Sequence, residues 1–392
     1  MSKSVIVSAA RTPYGKFGGG LKSFSAMELG GLAIAEAVQR AGLSPEQIDY
    51  VYMGHVLQAG CGQVTSRQAS RKAGLPWETP SITVNKVCSS GIVSVELADM
   101  RIRSGRDEII VAGGMESMSN APYALPDMRW GARMQNRQAL DLMVHDGLWC
   151  SFYDRHMAVH GSEVAAEFGI SREAQDEWAL RSHHYAAAAM SAGRLDAEIF
   201  PVSVRSSKGE SVLSKDESPR GETTLEALAK LPPVFSEEGS VTAGNAPGVN
   251  DGGAALVLMS ASRAAALGLK PLATILGQAE VSQPAQYIAT VPGLAMRKLL
   301  AEVGVSLGQI DLIEVNEAFA AVALTSGKIV GWNPDRVNVD GGAIAFGHPI
   351  GSSGARILMH LIFALRARGG GQGVACICSG AAQGDALLVR VE

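Results

Sequence analysis

Cys88 has the clearest means of doing chemistry in this sequence. The segment PSITV at residues 80–84 predicts a short buried strand and residues 89–104 predict a helix, so Cys88 lies at the turn between them. The unpaired N–H groups and dipole of a helix N-terminus favour a thiolate, which is the nucleophilic form, and offer donors for an oxyanion. The alternative is a buried cysteine that only fills space, the commoner role of a free thiol.

A nucleophilic cysteine needs a base, and His348 is the best-placed histidine. It lies in a glycine-dense loop, GGAIAFGHPIGSSG, at residues 341–354. An imidazole within reach would take up the thiol proton and lower the working pKa of the thiol. The alternative is a structural histidine in a glycine-rich turn. The other histidines lie in no comparable loop, and His360, in an apolar helix, is expected to be a packing residue.

Two further residues follow predicted strands near the end of the chain. Asn316 ends the strand predicted at residues 311–315 and begins the next predicted helix. Its amide can hold a water molecule or donate to an oxyanion, or it can simply cap the helix. Cys378 ends another predicted strand, where the chain turns through small residues, and a second thiol there could act as an acid or a base.

An approximate internal duplication relates the two ends of the chain. The segment AGLSPEQID at residues 41–49 resembles VGVSLGQID at residues 303–311, which is an offset of 262. Farther along, Gly91 and Gly354 each lie at the start of an apolar helical stretch, at an offset of 263. One inserted residue accounts for the difference.

The duplication gives a structural reason for pairing the cysteine with the histidine. Under the offset, Cys88 corresponds to Gly351, so His348 lies in the equivalent strand-to-helix connection of the second half. Two related halves that face each other across a pseudo-twofold axis would bring both loops to one cleft. In α/β folds such a cleft lies at the carboxyl ends of the strands.

The fold class follows from alternating β-branched and amphipathic runs, as at residues 5–7, 26–41 and 50–53. This pattern predicts right-handed βαβ units, mostly parallel sheets and two packed doubly wound layers. Between the halves the pattern loosens, with isolated helices such as residues 172–192, and an insertion of this length favours a ligand-binding region over surface elaboration. The predicted domains are residues 1–118 completed by 250–270, residues 119–249, and residues 271–392.

Composition excludes several classes of function. The 392 residues are 47% hydrophobic and carry a formal charge of −4, so no overall basic field is available to hold nucleic acid or an anionic membrane. The five scattered cysteines form no paired metal-ligand pattern and indicate a reducing compartment. No stretch is long enough to span a bilayer, and the first ten residues lack a signal peptide's apolar region. We therefore expect a cytoplasmic protein without a metal, a nucleic-acid partner or a membrane partner.

The motifs together resemble the thiolase family, over essentially the whole chain. They are ARTP at residues 10–13, NKVCSSG at 85–91, GGMESM at 113–118, NEAF at 316–319 and GHP at 347–349. The resemblance implies an α/β thiolase fold, in which duplicated βαβ half-domains form a five-layer α-β-α-β-α sandwich with an inserted loop domain. It also implies a homotetramer built as a dimer of dimers.

The resemblance further implies acyl transfer between coenzyme A (CoA) thioesters. Cys88, deprotonated by His348, would be acylated by acetyl-CoA, and Cys378 would remove an α-proton from a second acetyl-CoA to give acetoacetyl-CoA and CoA. His348 and a water held by Asn316 would stabilise the enolate, while the N–H groups of Cys88 and Gly380 would hold the tetrahedral oxyanion. The CoA thioesters are substrates, and no cofactor is implied.

For CoA itself the resemblance implies a set of contacts that lie mainly in the insertion. They are Leu148, His156, Met157, Arg220, Phe235, Ala243, Ala246, Ala318 and Phe319. Pro247 stands where the family usually has serine, so one CoA contact is expected to be lost. Ser379, Ala381 and Ala382 replace a glycine run, and their β-carbons could narrow the acyl pocket.

Three alternatives stay open at this point. The nearest is a broad-range 3-ketoacyl-CoA thiolase of fatty-acid breakdown, with the same residues and a longer acyl pocket. A non-catalytic binder of acyl-CoA or lipid with the thiolase fold is the second. The third is a Cys–His hydrolase, which would release free acetate.

Overall fold

Strands and helices alternate at both ends of the chain in the computed structural model, which describes residues 3–206 and 209–392. The strands are β1 (Ser4–Arg11), β2 (Gly15–Lys16), β3 (Tyr50–Gly54), β4 (Ser81–Val84), β5 (Ile109–Ser117), β6 (Tyr123–Ala124), β7 (Leu140–Asp141), β8 (Trp149–Cys150), β9 (Arg155–His156), β10 (Val202–Ser206), β11 (Gly209–Leu213), β12 (Asn250–Ser260), β13 (Ala273–Ser282), β14 (Leu312–Val315), β15 (Gly371–Ser379) and β16 (Gln383–Val391). The helices are α1 (Ala26–Arg40), α2 (Thr65–Lys72), α3 (Ser90–Arg103), α4 (Leu142–Gly147), α5 (Met157–Glu167), α6 (Arg172–Ser191), α7 (Leu225–Ala229), α8 (Ala261–Ala266), α9 (Val291–Val303), α10 (Ala320–Val330), α11 (Ala343–Phe346) and α12 (Ile350–Arg366).

Helix α1 shows how local sequence sets an element's start. Ser25 is its N-cap and accepts a hydrogen bond from the backbone N–H of Glu28, at 3.3 Å, while the Glu28 carboxylate accepts from the Ser25 N–H at 2.8 Å. This capping box satisfies two N–H groups that would otherwise lack partners at the helix start. The buried face of α1 then packs on β1, β5 and β12.

The central sheet is mixed, and the prediction of mostly parallel sheets is wrong. Within the described residues the strand order is β14-β15-β16-β13-β1-β12-β5-β3-β4, with β2 beside β12. The pairs β3–β4, β3–β5 and β14–β15 are parallel, and the remaining pairs are antiparallel. Strands β15 and β16 are joined by three residues, which leaves no length for a crossover and so requires an antiparallel pair.

Five layers result from the way the helices cover this sheet. Helices α1 and α2 cover the outer face of β1, β3, β4, β5 and β12, and α9 lies on β13, β15 and β16 with α10 against it. Helices α3 and α12 pack on each other and lie between the two halves of the sheet, contacting strands of both. The halves meet edge to edge through two residue pairs, Val5–Thr274 and Ile6–Ala273. The five-layer α-β-α-β-α sandwich of the thiolase fold is therefore confirmed.

The segment between the halves forms a separate set of small elements. It contains the two-stranded sheets β6–β7, β8–β9 and β10–β11 and helices α4 to α7, after which β12 enters the central sheet between β1 and β5. The domain division at residues 118, 249 and 271 stays a prediction. No helix among the described residues is long and apolar enough to cross a membrane.

Candidate active site

Cys88 lies in a tight loop that joins β4 to α3. The Ser90 hydroxyl closes the loop, since it accepts from the Lys86 N–H at 2.9 Å and donates to the Val87 carbonyl at 2.6 Å. Val87 has φ +45°, a left-handed conformation that is costly for a β-branched residue. Such strain is characteristic of functional sites, and here it turns the chain immediately before the cysteine.

The resting state of Cys88 is a neutral thiol. Burial raises the pKa of this thiol to about 12, although the backbone N–H groups of Gly380 and of Cys88 itself lower it. The N–H groups at this turn favour the thiolate, as expected, but the cost of desolvation exceeds their stabilisation. The resemblance to the thiolase family implies that the same two N–H groups hold an oxyanion, and that role stays a prediction.

His348 is held at its backbone N–H and at Nδ1. Its backbone N–H donates to Asn250 Oδ1 at 3.0 Å, its Nδ1 lies 2.6 Å from the Ser353 hydroxyl, and that hydroxyl also lies 3.0 Å from the Pro349 carbonyl. Nε2 has no hydrogen-bond partner in the described part of the chain. Burial and the nearby Arg356 lower the pKa of His348 to about 3. The imidazole is therefore neutral at ordinary pH and has one ring nitrogen available.

The loop before His348 requires glycine. Gly347 has φ +101°, and a β-carbon there would come within 2.3 Å of the Asn250 side chain. The same side chain accepts the His348 N–H. Gly347 therefore lets Asn250 approach closely enough to hold the histidine backbone.

Cys88 and His348 line one apolar cavity of about 290 Å³. Eight of the nine residues predicted to contact CoA also line it: Leu148, His156, Met157, Phe235, Ala243, Ala246, Ala318 and Phe319. Pro247 lies in the same wall, as do Met118, Ile288 and Ile350, which the sequence analysis did not identify. An apolar pocket with a few polar groups at one place is the usual form of a small-molecule site.

His156 and Phe235 form one flat wall of the cavity. Their rings are stacked, with centroids 3.6 Å apart and an interplanar angle of 7°. His156 Nδ1 accepts from the Ala158 N–H at 3.1 Å and so caps helix α5. Burial lowers the pKa of His156 to about 4, so the pair is uncharged at ordinary pH.

Cys378 lies near enough to Cys88 for the two thiols to interact electrostatically, and it does not line the cavity. It is fully buried at the end of β15, and burial together with the nearby Cys88 sulfur raises its pKa well above the usual value. Gly380 follows in the turn to β16 and directs its N–H toward Cys88. Cys88 and His348 thus share one cavity, as the duplication predicts, and Cys378 and Gly380 lie near Cys88.

Asn316 is buried and its amide is unpaired. Its backbone N–H donates to the Cys376 carbonyl at 3.0 Å, but neither side-chain atom has a partner among the described residues. The helix expected to begin at Asn316 begins at Ala320 with Phe319 as its N-cap, so a capping role for Asn316 is excluded. An unpaired buried amide is costly unless something binds it, which suits the predicted water-holding role.

Arg220, Ala381 and Ala382 do not line the cavity, and neither do Asn316, Cys378 and Gly380. Arg220 is exposed, and its guanidinium Nη2 lies 3.4 Å from His183 Nε2. Ala381 lines neighbouring surface clefts, and Ala382 packs in the core beside Cys378. The expected narrowing of the acyl pocket by these alanines is therefore not found in the cavity wall.

Sequence reasoning missed the groups that hold the site together. Asn250 and Ser353 fix His348, and Glu116 accepts the Gly351 N–H at 2.9 Å. Ser353 and Glu116 lie within motifs that were recognised, but spacing alone does not show where a side chain points. His360 was expected to be a packing residue, which is wrong, because it forms buried ion pairs.

Comparisons with known proteins agree along the full length of the chain. The family model described as thiolase, N-terminal domain matches residues 4–262, and that described as thiolase, C-terminal domain matches residues 269–391. An acetyl-CoA acetyltransferase of Escherichia coli is 49% identical, covering 100% of this chain and 99% of that protein, and one of Cupriavidus necator is 48% identical, covering 100% of both. The crystal structure of the Bacillus anthracis acetyl-CoA acetyltransferase matches with a TM-score of 0.98 at 41% identity, covering 100% of this chain and 99% of that one. With both family models matched in order over the same residues that build the site, the chain belongs to the thiolase family.

Proposed function

We propose that this chain is an acetyl-CoA C-acetyltransferase, which reversibly condenses two acetyl-CoA into acetoacetyl-CoA and CoA through an acyl-Cys88 intermediate. The observation that carries the proposal is the position of a thiol and a neutral imidazole on one apolar cavity, with a second thiol near the first: Cys88 and His348 line the cavity, and Cys378 interacts electrostatically with Cys88. The names of the full-length relatives support acetyl as the acyl group.

The first half-reaction transfers the acyl group to Cys88. His348 Nε2 takes the thiol proton as the sulfur attacks the thioester carbonyl, because a neutral thiol needs a base at that moment. The N–H groups of Cys88 and Gly380 receive the tetrahedral oxyanion. The carbon–sulfur bond to CoA then breaks, and the departing CoA sulfur takes the proton from His348, so a thioester is exchanged for a thioester.

The second half-reaction forms the carbon–carbon bond. Cys378 acts as a thiolate after its own proton has passed to His348, and it removes an α-proton from the second acetyl-CoA. The enolate carbon attacks acyl-Cys88, the departing Cys88 sulfur takes the proton from His348, and Cys378 keeps the α-proton as a thiol. The enolate oxygen is stabilised by His348 and by a water that the unpaired Asn316 amide holds. Thiolysis of acetoacetyl-CoA is the reverse of these steps.

His348 must therefore accept a proton in one step and donate in another. The Ser353 hydroxyl has a single proton and two acceptors, Nδ1 at 2.6 Å and the Pro349 carbonyl at 3.0 Å. If the hydroxyl donates to Pro349, Nδ1 carries the ring proton and Nε2 is a base. If it donates to Nδ1, Nε2 carries the proton and is a donor.

The CoA chain follows the remaining cavity wall in this proposal. The pantetheine passes the stacked His156–Phe235 pair and Phe319, whose apolar faces suit an uncharged, flexible chain. Arg220 is assigned to the charged nucleotide end, since it lies on the exposed surface. CoA thioesters are substrates here, and the mechanism uses no cofactor.

A homotetramer in the cytoplasm belongs to the same proposal. Large apolar side chains are exposed in the insertion, with Trp130 at 84%, Met134 at 80% and Tyr123 at 66%. Exposed apolar groups concentrated in one segment are typical of association surfaces. All five cysteines are unpaired, which suits a reducing compartment.

Thiolysis assays test the proposal. Acetoacetyl-CoA and longer 3-ketoacyl-CoAs are compared, and the acetylated peptide formed from acetyl-CoA is identified by mass. We expect a clear preference for acetoacetyl-CoA and a label on Cys88. A preference for long chains would instead indicate the broad-range enzyme, absence of acyl-Cys88 would indicate a binder, and release of acetate faster than transfer to CoA would indicate a hydrolase.

A further inference from the structure

Glu116 is a buried carboxylate that the mechanism does not use. It lies at the end of β5 and is fully buried. Its Oε2 accepts the N–H of Val56 at 3.2 Å and of Gly351 at 2.9 Å, and its Oε1 accepts the N–H of Leu57 at 3.1 Å. His55 Nε2 lies 3.3 Å from Oε1. A carboxylate is retained in such a place only when it is well paired, and these donors supply the pairing.

The donors come from both halves of the molecule. Val56 and Leu57 follow β3 in the first half, whereas Gly351 lies in the first turn of α12 in the second half, three residues after His348. Glu116 therefore connects the strand ends of one half to the helix that begins at the histidine of the other.

The contact at Gly351 is close on every side. A β-carbon on Gly351 would lie 2.8 Å from the Met115 carbonyl and 3.0 Å from Glu116 Oε2. A β-carbon on Gly114 would lie 1.9 Å from the Gly351 carbonyl, and one on Gly54 would lie 2.6 Å from it. The start of α12 is thus seated directly on the backbone of β3 and β5, with the Glu116 carboxylate bonded to its N–H.

A similar contact runs from the second half of the molecule to the first. At the offset of 263 residues, Glu116 corresponds to Ser379, whose hydroxyl donates to the Lys86 carbonyl in the loop before Cys88. Each half thus uses the residue at the end of its central strand to hold the active-site loop of the other half. The contacts of Glu116 and Ser379 are therefore equivalent under the internal duplication.

The charge of Glu116 cannot serve to activate the thiol. Its negative charge raises the pKa of Cys88, adding to the effect of burial. Because this carboxylate disfavours ionisation of the nucleophilic sulfur, its role must be something other than activating the thiol. The hydrogen bond that Glu116 accepts from the turn next to His348 and Ser353 indicates that this role is to hold the turn in place.

We propose that Glu116 is a positioning residue, which fixes the first turn of α12 so that Nε2 of His348 stays directed at Cys88. Ser353, two residues beyond Gly351, holds Nδ1 from the same turn, so a shift of the turn moves the imidazole with it. The proposal rests on the proposed function for its kinetic readout, but its geometric readout is independent of the substrate.

Glu116→Gln is the first variant for the test. It keeps the size of the side chain but places an amide N–H₂ against backbone donors: an N–H₂ at the Oε2 position loses the Val56 and Gly351 contacts, and one at the Oε1 position loses the Leu57 contact. We expect kcat for thiolysis of acetoacetyl-CoA to fall about 100-fold with KM changed less than about threefold, because a displacement of about 1 Å between reacting groups has this effect. The matched control is Asp49→Asn at the opposite end of β5, where the carboxylate accepts the N–H groups of Glu108 and Ile109, both at 2.9 Å. Its kcat should stay within about twofold of the wild type.

Alkylation of Cys88 by iodoacetamide, followed by peptide mass, gives the readout that a purely structural role would not move. In the wild type, His348 assists the reaction at neutral pH, whereas in strong alkali solvent deprotonates the thiol without the imidazole. In Glu116→Gln we expect the rate to fall at least about tenfold at pH 7 and to match the wild type near pH 11. If the variant does not fold, Glu116→Asp, which keeps the charge with a shorter reach, is measured in the same way.

The outcomes separate this proposal from the proposed function. A folded Glu116 variant with wild-type kcat and an unchanged ratio of alkylation rates at the two pH values overturns the positioning role, as does a rise in KM alone. If the wild type shows no thiolysis but the alkylation ratio still falls in the variant, the positioning role stands and the proposed function fails.

Discussion

The Ser353 hydroxyl lies between His348 Nδ1, at 2.6 Å, and the Pro349 carbonyl, at 3.0 Å, so one proton serves two acceptors. Its rotation selects which nitrogen of the imidazole is protonated. The proposed mechanism needs both states, since the histidine is a base during acylation and a donor during condensation. Ser353 therefore has a testable role of its own.

Ser353→Ala should lower kcat by about 10-fold to 100-fold in both directions of the reaction, because general acid–base catalysis contributes about 10²-fold to 10⁴-fold and only its orientation is lost. KM should be nearly unchanged, since Ser353 does not line the cavity. The control is Ser352→Ala, a buried neighbour whose hydroxyl pairs with Tyr14 at 2.8 Å. Equal losses in the two variants would mean that the hydroxyl acts only through packing.

Cys378→Ala should separate the two half-reactions. Acylation of Cys88 by labelled acetyl-CoA should continue, while condensation should fall by at least about 100-fold because no other group is assigned to remove the α-proton. Cys376→Ala is the matched control, since Cys376 is also buried in β15 but packs in a different core cluster. Condensation at a nearly normal rate in Cys378→Ala would show that the assigned proton carrier is wrong.

The ionisation of Cys88 gives a third prediction. Because burial raises the pKa of this thiol to about 12, the ultraviolet absorbance of its thiolate should be absent at neutral pH and appear only above about pH 10. The signal is isolated by subtracting the titration of Cys88→Ala from that of the wild type. A thiolate already half formed near pH 7 would mean that the cysteine and His348 rest as an ion pair.

The pairing of Cys88 with His348 could be predicted because the duplication fixes it. Equivalent strand-to-helix turns in two related halves must meet if the halves pack face to face, so an offset in the sequence becomes a distance in the fold. These are backbone positions, which a repeat pattern specifies well. Cys378 was proposed from its place at the end of a predicted strand, and Gly380 from the resemblance to the thiolase family.

Strand direction and side-chain contacts could not be predicted from the internal duplication. The prediction of mostly parallel sheets failed because β12 returns from the insertion to lie between β1 and β5, a pairing between distant segments. The contacts of Ser353 and Glu116 depend on χ angles and on backbone groups of other elements. The sequence indicated the helix terminus that lowers the pKa of Cys88, but it did not show how deeply the thiol is buried, which raises that pKa further.

The close contact between α12 and β5 predicts that one added methyl group lowers the stability of the protein severely. In Gly114→Ala the β-carbon would lie 1.9 Å from the Gly351 carbonyl, so β5 and α12 must separate. We expect the free energy of unfolding to fall by about 3 kcal/mol or more, at or above the upper end of overpacking effects. Gly308→Ala is the control, since a β-carbon there meets nothing within 4 Å, and its effect should be neutral or stabilising by up to about 1 kcal/mol. Denaturant unfolding of both variants measures the difference, and a stable Gly114→Ala would show that the two halves are not in close backbone contact.

The buried ion pairs of His360 predict a pH dependence of stability. His360 Nδ1 lies 3.0 Å from Glu198, and Nε2 lies 3.5 Å from Asp340. Although burial opposes its charge, these carboxylates and Glu314 raise the pKa of His360 to about 10. A folded-state pKa above the unfolded value of about 6.5 means that the contribution is complete below pH 6.5 and is lost as pH rises toward 10.

His360→Gln removes the titrating group. Relative to the variant, the wild type should therefore lose up to about 1.4 kcal/mol of unfolding free energy per pH unit across that range. The control is His145→Gln, at an exposed histidine whose side chain is 54% accessible, which should leave the slope of the wild type unchanged. Urea unfolding at several pH values between about 6 and 10 measures the three slopes. Parallel curves for the wild type and His360→Gln would mean that the charge of the imidazolium contributes nothing to stability. The negative charges of Glu198 and Asp340 would then be neutralised by Arg11 and Arg194, with which they pair at 2.7 Å.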